Sequence, residues 1–514
     1  MIMRNLTTLA TSIAVLVASG QPTSMGTELW VTYMENLNLQ FNGPPSFELV
    51  ISADVATQGE VQIPYTGFSI PYSVGALSDT VITLPTNIYY PQGDETTFNF
   101  GIRVVADDPV SVYAYHERAY FSEAAMVLPY DRLGTDHLVL AHEDAIGNSP
   151  SEFVVLATAD STVVQITPSI LTVGFRPPGI PFTVTLDQGQ VFQLQAFGDL
   201  SGSRVRSISA NKRIAVFAGA RQAIVNCTAS ADDHLYQQIE PLSAWGRLFR
   251  IVPFKQRNGD EIRVLASTDS TEITLTGQAP FMLDSGEVAD LFVTIPLTIS
   301  ATAPIAVGQF NDSQVCNTAL GDPCYLWIPP ATLTDERAIW SALTGLGTPE
   351  HFVNVVVSGE VGAPILFLDG VNVSSQLQPM NGVPGIFWGQ YSIAPGLHTL
   401  ESASGMEAWA YGMGDYNSYS FPLGYGSSPL SSAIPDVEAS TNLGTVVLLP
   451  QGSTFDAARC GMDARSTLAI IDATGRIVRT IAPSDQPRLD LAAGQYTVHA
   501  LNTTMPKVLR LVIQ

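Results

Sequence analysis

Short runs of β-branched and aromatic residues, each followed by a turn, recur along most of the chain. The first runs are bounded by Gly, Pro, Asp or Asn, which are the residues that favour turns. They occupy residues 47–52, 60–63, 68–74, 79–84, 98–105 and 110–115. Six or seven strands in roughly 100 residues is the count of a β-sandwich. The pattern therefore predicts an all-β fold.

Two sequence landmarks recur in the same order, which predicts a tandem array of similar β repeats. The first is residues 153–167, which resemble residues 262–275; both are interpreted as a hairpin with Asp-Ser-Thr at its turn. The second is a buried strand that opens a long polar loop, and it begins at Val110, Ile214 and Ile305. These positions are 104 and 91 residues apart. A degenerate fourth copy follows them.

The length of each repeat decides between two all-β architectures. A propeller blade needs four strands in roughly 40 to 50 residues, and each repeat here is about twice that long. Tandem β-sandwich-like repeats are therefore predicted, with a β-propeller-like ring of two blades per repeat as the alternative. The predicted repeats, within a body of residues 21–425, are approximately 27–150, 151–260, 261–350 and 351–425.

The two ends of the chain differ from the body. Residues 1–20 are predicted to be an export signal, because Arg4 precedes a short apolar run and small residues follow it. That run is shorter than the roughly 20 residues of a membrane span. Residues 426–445 are rich in Ser, Gly and Pro and are predicted to be a linker. Residues 446–514 are predicted to form a small C-terminal β-sandwich.

The charge of the chain excludes two classes of partner. Its 47 acidic and 23 basic residues give a net charge of -24. Nucleic acid and anionic membranes both select basic surfaces, so neither is expected to bind. Only 14% of residues are charged and 46% are hydrophobic, which allows several cores to form. Because no apolar stretch is long enough to span a membrane, we expect a soluble exported protein that is not an integral membrane protein.

Four cysteines allow one local disulfide. Cys316 and Cys324 bracket a Gly-Asp-Pro turn, so they are predicted to pair in an oxidising compartment. Cys227 and Cys460 have no partner nearby in sequence, and both are predicted to be free buried thiols.

No complete catalytic or metal-binding motif is present in the sequence. His116-Glu117 and His142-Glu143 each begin like a zinc-peptidase motif, but no histidine follows at the required spacing. There is no Gly-x-Ser-x-Gly element and no Cys-x-x-Cys pair. Asp415-Tyr416-Asn417 resembles part of a calcium loop but lacks its closing glutamate. The sequence therefore predicts a protein without enzymatic activity, metal site or cofactor, with Ca²⁺ kept as an alternative.

Polar loops follow the second landmark in successive repeats. Loops on a rigid β scaffold often carry binding residues, and Arg and aromatic side chains are frequent contact anchors. We therefore predict a composite binding surface made by these loops. The candidate ligand-binding residues are Arg118, Tyr120, Arg221, Asp232, His234 and Tyr236.

Passages throughout the body resemble the IgG Fc-binding protein N-terminal domain family over residues of about 27–425. The matching passages are 26–31, 125–134, 233–246, 252–254 and 304–310. The resemblance implies binding or adhesion and supplies no catalytic residues. Bacterial members of the family need not bind immunoglobulin.

Residues 446–514 resemble the C-terminal sorting domain of the type IX secretion system. Residues 468–478 match its Asp-x-x-Gly-Arg core, residues 489–498 its Gly-x-Tyr strand, and residues 507–513 its closing strand. The usual opening Pro-Asn-Pro is replaced by residues 449–452, Leu-Pro-Gln-Gly. The resemblance implies that type IX machinery exports the chain across the outer membrane of a Gram-negative bacterium.

These observations predict a binding or adhesion protein at the cell surface or outside the cell. Its expected ligand is an extracellular glycoprotein or polysaccharide. Two alternatives are a secreted enzyme that acts on polysaccharides and a passive component of a surface layer or matrix. Paired carboxylates in a cleft would favour the enzyme.

Overall fold

A computed structural model describes most of the body and parts of the C-terminal region. The described residues are 24–37, 43–85, 90–143, 149–227, 231–317, 319–342, 347–359, 364–426, 446–449, 467–472, 477–482, 487–489, 491, 494–501 and 508–513. The chain divides into two compact units, Met1–Leu430 and Ser431–Gln514. The predicted export signal and Cys460 lie outside the described residues.

The body contains four repeats, and the strands of the first two follow one another in chain order. Strands β1 to β8 are Gly26–Val31, Ser46–Ala53, Thr57–Ile63, Phe68–Val74, Ser78–Thr83, Thr97–Phe98, Ile102–Glu117 and Glu123–Val127. Strands β9 to β16 are Asp136–Leu138, Ser151–Ala157, Thr162–Thr167, Phe182–Leu186, Val191–Ala196, Arg204–Ser207, Ile214–Ala223 and Asp233–Gln238. Strand β6 pairs with β13 and so belongs to a sheet of repeat 2.

Repeats 3 and 4 have the same plan. Strands β17 to β23 are Gly246–Ile251, Asp260–Ala266, Thr271–Leu275, Phe281–Leu283, Val288–Val293, Leu297–Phe310 and Tyr325–Ile328. Strands β24 to β31 are Asp335–Ala342, Glu350–Ser358, Phe367–Leu368, Val371–Asn372, Gln378–Pro379, Ile386–Ile393, Gly396–Gly414 and Asn417–Pro422. Short 3-10 turns lie at Tyr130–Arg132, Leu242–Ala244 and Ser374–Gln376.

One long strand connects the two halves of each repeat. In repeat 1 the first half of β7 pairs with β1 and β3, and its second half pairs with β2 and β8. Strands β22 and β30 have the same role in repeats 3 and 4. In repeat 2 the long strand is divided into β14 and β15, and Asn211 between them has a φ of 59°. Asn tolerates this left-handed conformation better than most residues.

The repeats are offset from the windows expected from sequence. Strands β9 and β17 lie in the windows 27–150 and 151–260, yet they pair in the sheets of repeats 2 and 3. After the last strand of repeats 1, 2 and 3, the chain passes a proline, at Pro129, Pro241 or Pro330, and then begins the first strand of the next repeat. A Cβ atom at Gly134 would clash with Pro241, and one at Gly246 would clash with Pro330. Glycine therefore permits this close approach between the start and the end of a repeat.

The four repeats close into a ring. The last strand of every repeat, which we call its inner strand, lies near the axis: β8 and β23 each pack against both β16 and β31. Gln237 Nε2 crosses between repeats by donating to the carbonyl oxygens of Ala124 at 2.7 Å and Ser420 at 2.9 Å. The ends of the body meet where Ser24 N donates to Tyr425 O at 3.0 Å. Sandwich-like repeats and a closed ring therefore occur in one structure.

Three hydrophobic clusters fill the repeats. The largest combines repeats 1 and 4, for example through Tyr113 and Phe421, whose ring centroids are 4.6 Å apart. The second cluster is centred on repeat 2 and includes Val216, and the third is centred on repeat 3 and includes Ile262. Because the first and last repeats share one core, hydrophobic burial helps to hold the ring closed. The prediction of an all-β fold is confirmed.

The Asp-Ser-Thr landmarks are not hairpins, contrary to the sequence interpretation. Strand β10 pairs with β13 and β15, whereas β11 pairs with β12 and β14, so the turn between them carries the chain from one sheet to the other. Ser161 and its counterpart Ser270 have φ values of 51° and 56°. Their backbone N–H groups donate to Asp187 and Asp284, both at 2.8 Å. The two landmarks are similar because both turns need this conformation and this aspartate contact.

The C-terminal unit contains a five-stranded sheet. Its strands β32 to β36 are Val446–Leu449, Thr467–Asp472, Ile477–Ile481, Gly494–Leu501 and Val508–Ile513. Their order is β32-β36-β35-β33-β34, and β32 is parallel to β36 while the other pairs are antiparallel. In the described part of the chain, no helix has the length and apolar character that membrane crossing requires.

Candidate binding face

Loops from all four repeats meet at one end of the ring. Each connects the long strand of a repeat to its inner strand. Their described residues are 118–122 (loop 1), 224–227 and 231–232 (loop 2), 311–317 and 319–324 (loop 3) and 415–416 (loop 4). The inner strands start close together, because Glu123 Oε1 accepts from Tyr325 N at 2.6 Å across the axis. We call this end of the ring the loop face.

A disulfide and several hydrogen bonds connect neighbouring loops. Cys227 of loop 2 is bonded to Cys316 of loop 3. Gln314 Nε2 of loop 3 donates to Asp415 Oδ1 of loop 4 at 2.7 Å. Arg257 reaches under loop 3 and donates to Asn311 Oδ1 at 2.7 Å and to two carbonyl oxygens of that loop. Loops 2, 3 and 4 therefore form one connected surface.

The predicted Cys316–Cys324 disulfide is wrong. Cys316 pairs instead with Cys227, which was expected to be free, across a sequence separation of 89 residues. Cys324 is a fully buried free thiol beside β23. Sequence proximity favoured the local pair. Ring closure instead places loop 2 against loop 3, and Cys324 lies in the core because β23 begins at the next residue.

Three of the six candidate ligand-binding residues are buried and belong to the framework. Arg118 is 4% exposed, and its Nη1 and Nη2 atoms donate to Tyr90 Oη and Gly43 O, both at 2.9 Å. His234 and Tyr236 are fully buried. Tyr236 Oη donates to Thr32 O at 2.8 Å, and its ring stacks on Phe217. These side chains are not accessible to a macromolecular ligand.

The burial of His234 has an electrostatic consequence. Its ring centroid lies 5.2 Å from that of His116, which is also fully buried. Burial lowers the pKa of His234 to about 4, although hydrogen bonds with the backbone of Arg221 and Ala220 act in the opposite direction. Burial likewise lowers the pKa of His116 well below its usual value. Both imidazoles are therefore neutral at pH 7 and serve as packing elements between repeats 1 and 2.

The other three candidate residues are partly accessible. Tyr120 of loop 1 is 50% exposed and has a φ of 69°, a conformation that bulky residues seldom adopt. Asp232 of loop 2 is half-buried, and this burial raises the pKa of its carboxyl. Arg221 Nη1 forms an ion pair with Glu35 Oε1 at 3.1 Å, which connects the end of β15 to repeat 1. Tyr120 is thus the most accessible of the predicted residues.

Sequence reasoning missed two exposed residues on the loop face. Val315 of loop 3 is 42% exposed, and Tyr416 of loop 4 is 36% exposed with a φ of 53°. The sequence signal for Tyr416 was its place in a short Gly-Asp-Tyr-Asn turn, which was considered only as part of a calcium loop. Tyr120, Val315 and Tyr416 together give the face apolar tips from three different repeats.

Carboxyl groups are buried where the inner strands begin. Asp233 is fully buried, and its pKa is raised well above the usual range by burial and by the charges of Asp322, Glu123 and Asp232. Burial also raises the pKa of Asp322 to about 7. Within the described residues, no three His, Cys, Asp or Glu side chains are placed to hold a metal ion. The acids therefore form a buried polar floor of low charge at neutral pH.

This arrangement defines a class of protein: a closed ring of four β repeats that gathers its connecting loops on one face. The family described as "IgGFc binding protein" matches residues 123–412, which is more than half of the chain. The chain belongs to this IgGFc-binding protein family.

Two individual proteins give the scale of the similarity. The human IgGFc-binding protein is 26% identical over 355 residues, which is 66% of this chain but only 6% of the human protein. The crystal structure of the N-terminal eight Ig domains of Down Syndrome Cell Adhesion Molecule is 9% identical and covers 97% of this chain and 62% of that chain. Its TM-score is 0.11, which is too low to inform the fold.

Proposed function

We propose that this chain is an exported binding protein whose loop face holds an extracellular glycoprotein or polysaccharide without chemical turnover. The observation that carries this proposal is the set of exposed tips Tyr120, Val315 and Tyr416. Aromatic side chains supply large contact areas at low entropic cost, and a rigid scaffold reduces the cost of ordering them. The Cys227–Cys316 disulfide restrains loops 2 and 3 by joining them covalently.

At the loop face, the absence of turnover is supported by the burial of the carboxyl groups near the axis. Asp233 and Asp322 are 0% and 1% exposed, and Glu123 is fully buried. A general acid or base must come within hydrogen-bonding distance of its substrate. These three acids are covered by the loops and are better suited to structure than to catalysis.

Tyr120→Ala combined with Tyr416→Ala is expected to weaken ligand capture by about tenfold or more while thermal stability is retained, because both rings are surface anchors. The measurement is binding of the mature chain to an array of glycoproteins and polysaccharides, with product analysis to detect turnover. Tyr65→Ala is the matched control, because Tyr65 is 43% exposed but lies away from the loop face. It follows the end of β3, where Gln62 pairs with Arg103 at the start of β7, whereas loop 1 follows the other end of β7. Unchanged capture by the double variant, or release of cleaved glycan, would contradict the proposal.

The proposed route of export uses the C-terminal unit. Its five strands and its resemblance to a type IX sorting domain support this role. Deletion of residues 446–514 is expected to leave the body in the periplasm of a Gram-negative host that has type IX machinery. Cell fractionation and immunoblotting measure the location, and deletion of residues 427–445 alone is the control. Normal appearance of the truncated body outside the cell would rule out this route.

A further inference from the structure

A row of three side chains crosses the outer sheet of repeat 4. Glu401 of β30 lies directly opposite Phe367 of β26 on one side and Arg337 of β24 on the other. Residues directly opposite each other on paired strands project from the same face of a sheet. An aromatic ring, a carboxylate and a guanidinium group are therefore side by side on one surface.

This row forms part of an open cleft of about 530 Å³, which we call the repeat-4 cleft. Asp335, Glu336 and Ile365 complete the lining that matters here. Volumes of roughly 300 to 1,000 Å³ are typical of small-molecule sites. The repeat-4 cleft is lined by residues of β24, β26 and β30 and the segment before β26, all separate in sequence from the four loops of the loop face.

The cleft combines an apolar wall with accessible hydrogen-bonding groups. Phe367 and Ile365 are 36% and 58% exposed. Arg337 Nε donates to Glu401 Oε1 at 2.6 Å, and their side chains remain 45% and 42% exposed. A carboxylate offers about four acceptor positions and a guanidinium five N–H donors, so this single contact leaves most of their capacity available.

Repeat 1 also has a cleft of similar size, lined by residues of β3, β4 and β7, but its chemistry differs. There the pairing of Glu60 with Val105 replaces that of Phe367 with Glu401. That cleft has a volume of about 580 Å³, and its one aromatic residue, Tyr72, is 6% exposed and donates through Oη to Val105 O at 3.0 Å. The repeat-1 cleft therefore lacks the exposed aromatic wall of the repeat-4 cleft.

We propose that the repeat-4 cleft is a carbohydrate subsite that binds a neutral hexopyranose unit of a glycan. A pyranose presents an apolar C–H face, which suits Phe367 and Ile365, and an edge of adjacent hydroxyl groups, which suits the Glu401–Arg337 pair. Asp335, Glu336 and Glu401 outnumber the one arginine, so the cleft disfavours anionic sugars. This inference rests on the proposed function and assigns part of the glycan recognition to a second site.

The test measures binding of the mature full-length chain to immobilised neutral oligosaccharides, with sialylated and sulfated oligosaccharides on the same array. Phe367→Ala is expected to reduce neutral oligosaccharide binding by about tenfold, the scale of one lost aromatic contact. Glu401→Gln is also expected to reduce neutral oligosaccharide binding, so the inference can still be tested if Phe367→Ala fails to fold. Glu60→Gln in the repeat-1 cleft is the matched control and should bind like the unaltered chain.

The outcomes separate this inference from the proposed function. Loss of oligosaccharide binding in Phe367→Ala and Glu401→Gln, but not in Tyr120→Ala/Tyr416→Ala, supports the subsite. Absence of neutral oligosaccharide binding by the intact chain, preference for anionic sugars, or unaltered binding by both cleft variants overturns it. Capture of a glycoprotein that depends on Tyr120 and Tyr416 would leave the proposed function standing in each of those cases.

Discussion

Asp322→Asn is expected to stabilise the body, and the gain should be largest above pH 7. Asp322 is 1% exposed, and burial raises the pKa of its carboxyl to about 7 from an ordinary value of 3.8. A hydrogen bond from Ser313 and the charge of Arg257 lower this pKa, whereas the charges of Asp232 and Asp415 raise it. Asparagine keeps the shape of the side chain and one acceptor oxygen, which can receive the Ser313 hydrogen bond, without the charge.

The direction of the pH dependence follows from proton binding. The unfolded chain loses the Asp322 proton near pH 3.8, while the folded protein keeps it up to about pH 7. Between these values the folded state binds more protons, so the contribution of Asp322 to stability falls as pH rises and is constant above pH 7. The shift corresponds to about 4 kcal/mol.

Urea unfolding of both proteins between pH 4 and pH 8 measures this effect. The difference in unfolding free energy, variant minus unaltered chain, should increase with pH and level off near pH 7. Glu60→Gln is the control, because hydrogen bonds from Gln62 and Ser69 lower the pKa of the exposed Glu60 and so give no rise of this sign. A difference that stays flat across the pH range would show that Asp322 is not protonated in the folded body at neutral pH.

Local sequence patterns predicted the strands well because they depend on short-range chemistry. β-branched runs bounded by Gly, Pro and Asp gave the strand of each landmark, and recurrence gave the repeated plan. The partners of those strands could not be predicted in the same way. Residues 153–167 suit a hairpin or a crossing between sheets equally, and the choice depends on contacts with β13, β14 and β15, which come later in the chain.

The candidate site was harder to predict because the ring buries a polar segment that would usually be exposed. Asp233-His234-Leu235-Tyr236 has no alternation of apolar and polar positions, and it follows a loop, so it suggests an exposed segment. In the structure it is the inner strand β16, which is covered by β8 and β23 of other repeats. Polar groups there are matched by groups from distant repeats, as Gln237 is by Ala124 and Ser420. Only ring closure brings these partners together.

The disulfide gives the second large effect, because it is a covalent connection between loops of two different repeats. Cys227→Ser with Cys316→Ser is expected to lower the free energy of unfolding by about 4 kcal/mol, since the bond closes a loop across a separation of 89 residues. The same variant should weaken ligand capture, because loop 2 loses its covalent attachment to loop 3. Cys324→Ala is the control, and we expect it to lose much less, because this buried thiol is not cross-linked.

Denaturant unfolding with and without reductant measures the energetic effect, and mass spectrometry of a non-reduced digest identifies the bonded peptides. A peptide containing Cys227 should be joined to one containing Cys316. Recovery of Cys316 joined to Cys324 would restore the local pairing that the sequence favoured and contradict the connection between repeats 2 and 3. Loss of ligand capture with unaltered stability would instead show that the bond acts on the geometry of the loop face, because cross-linked loops pay less to be ordered on binding.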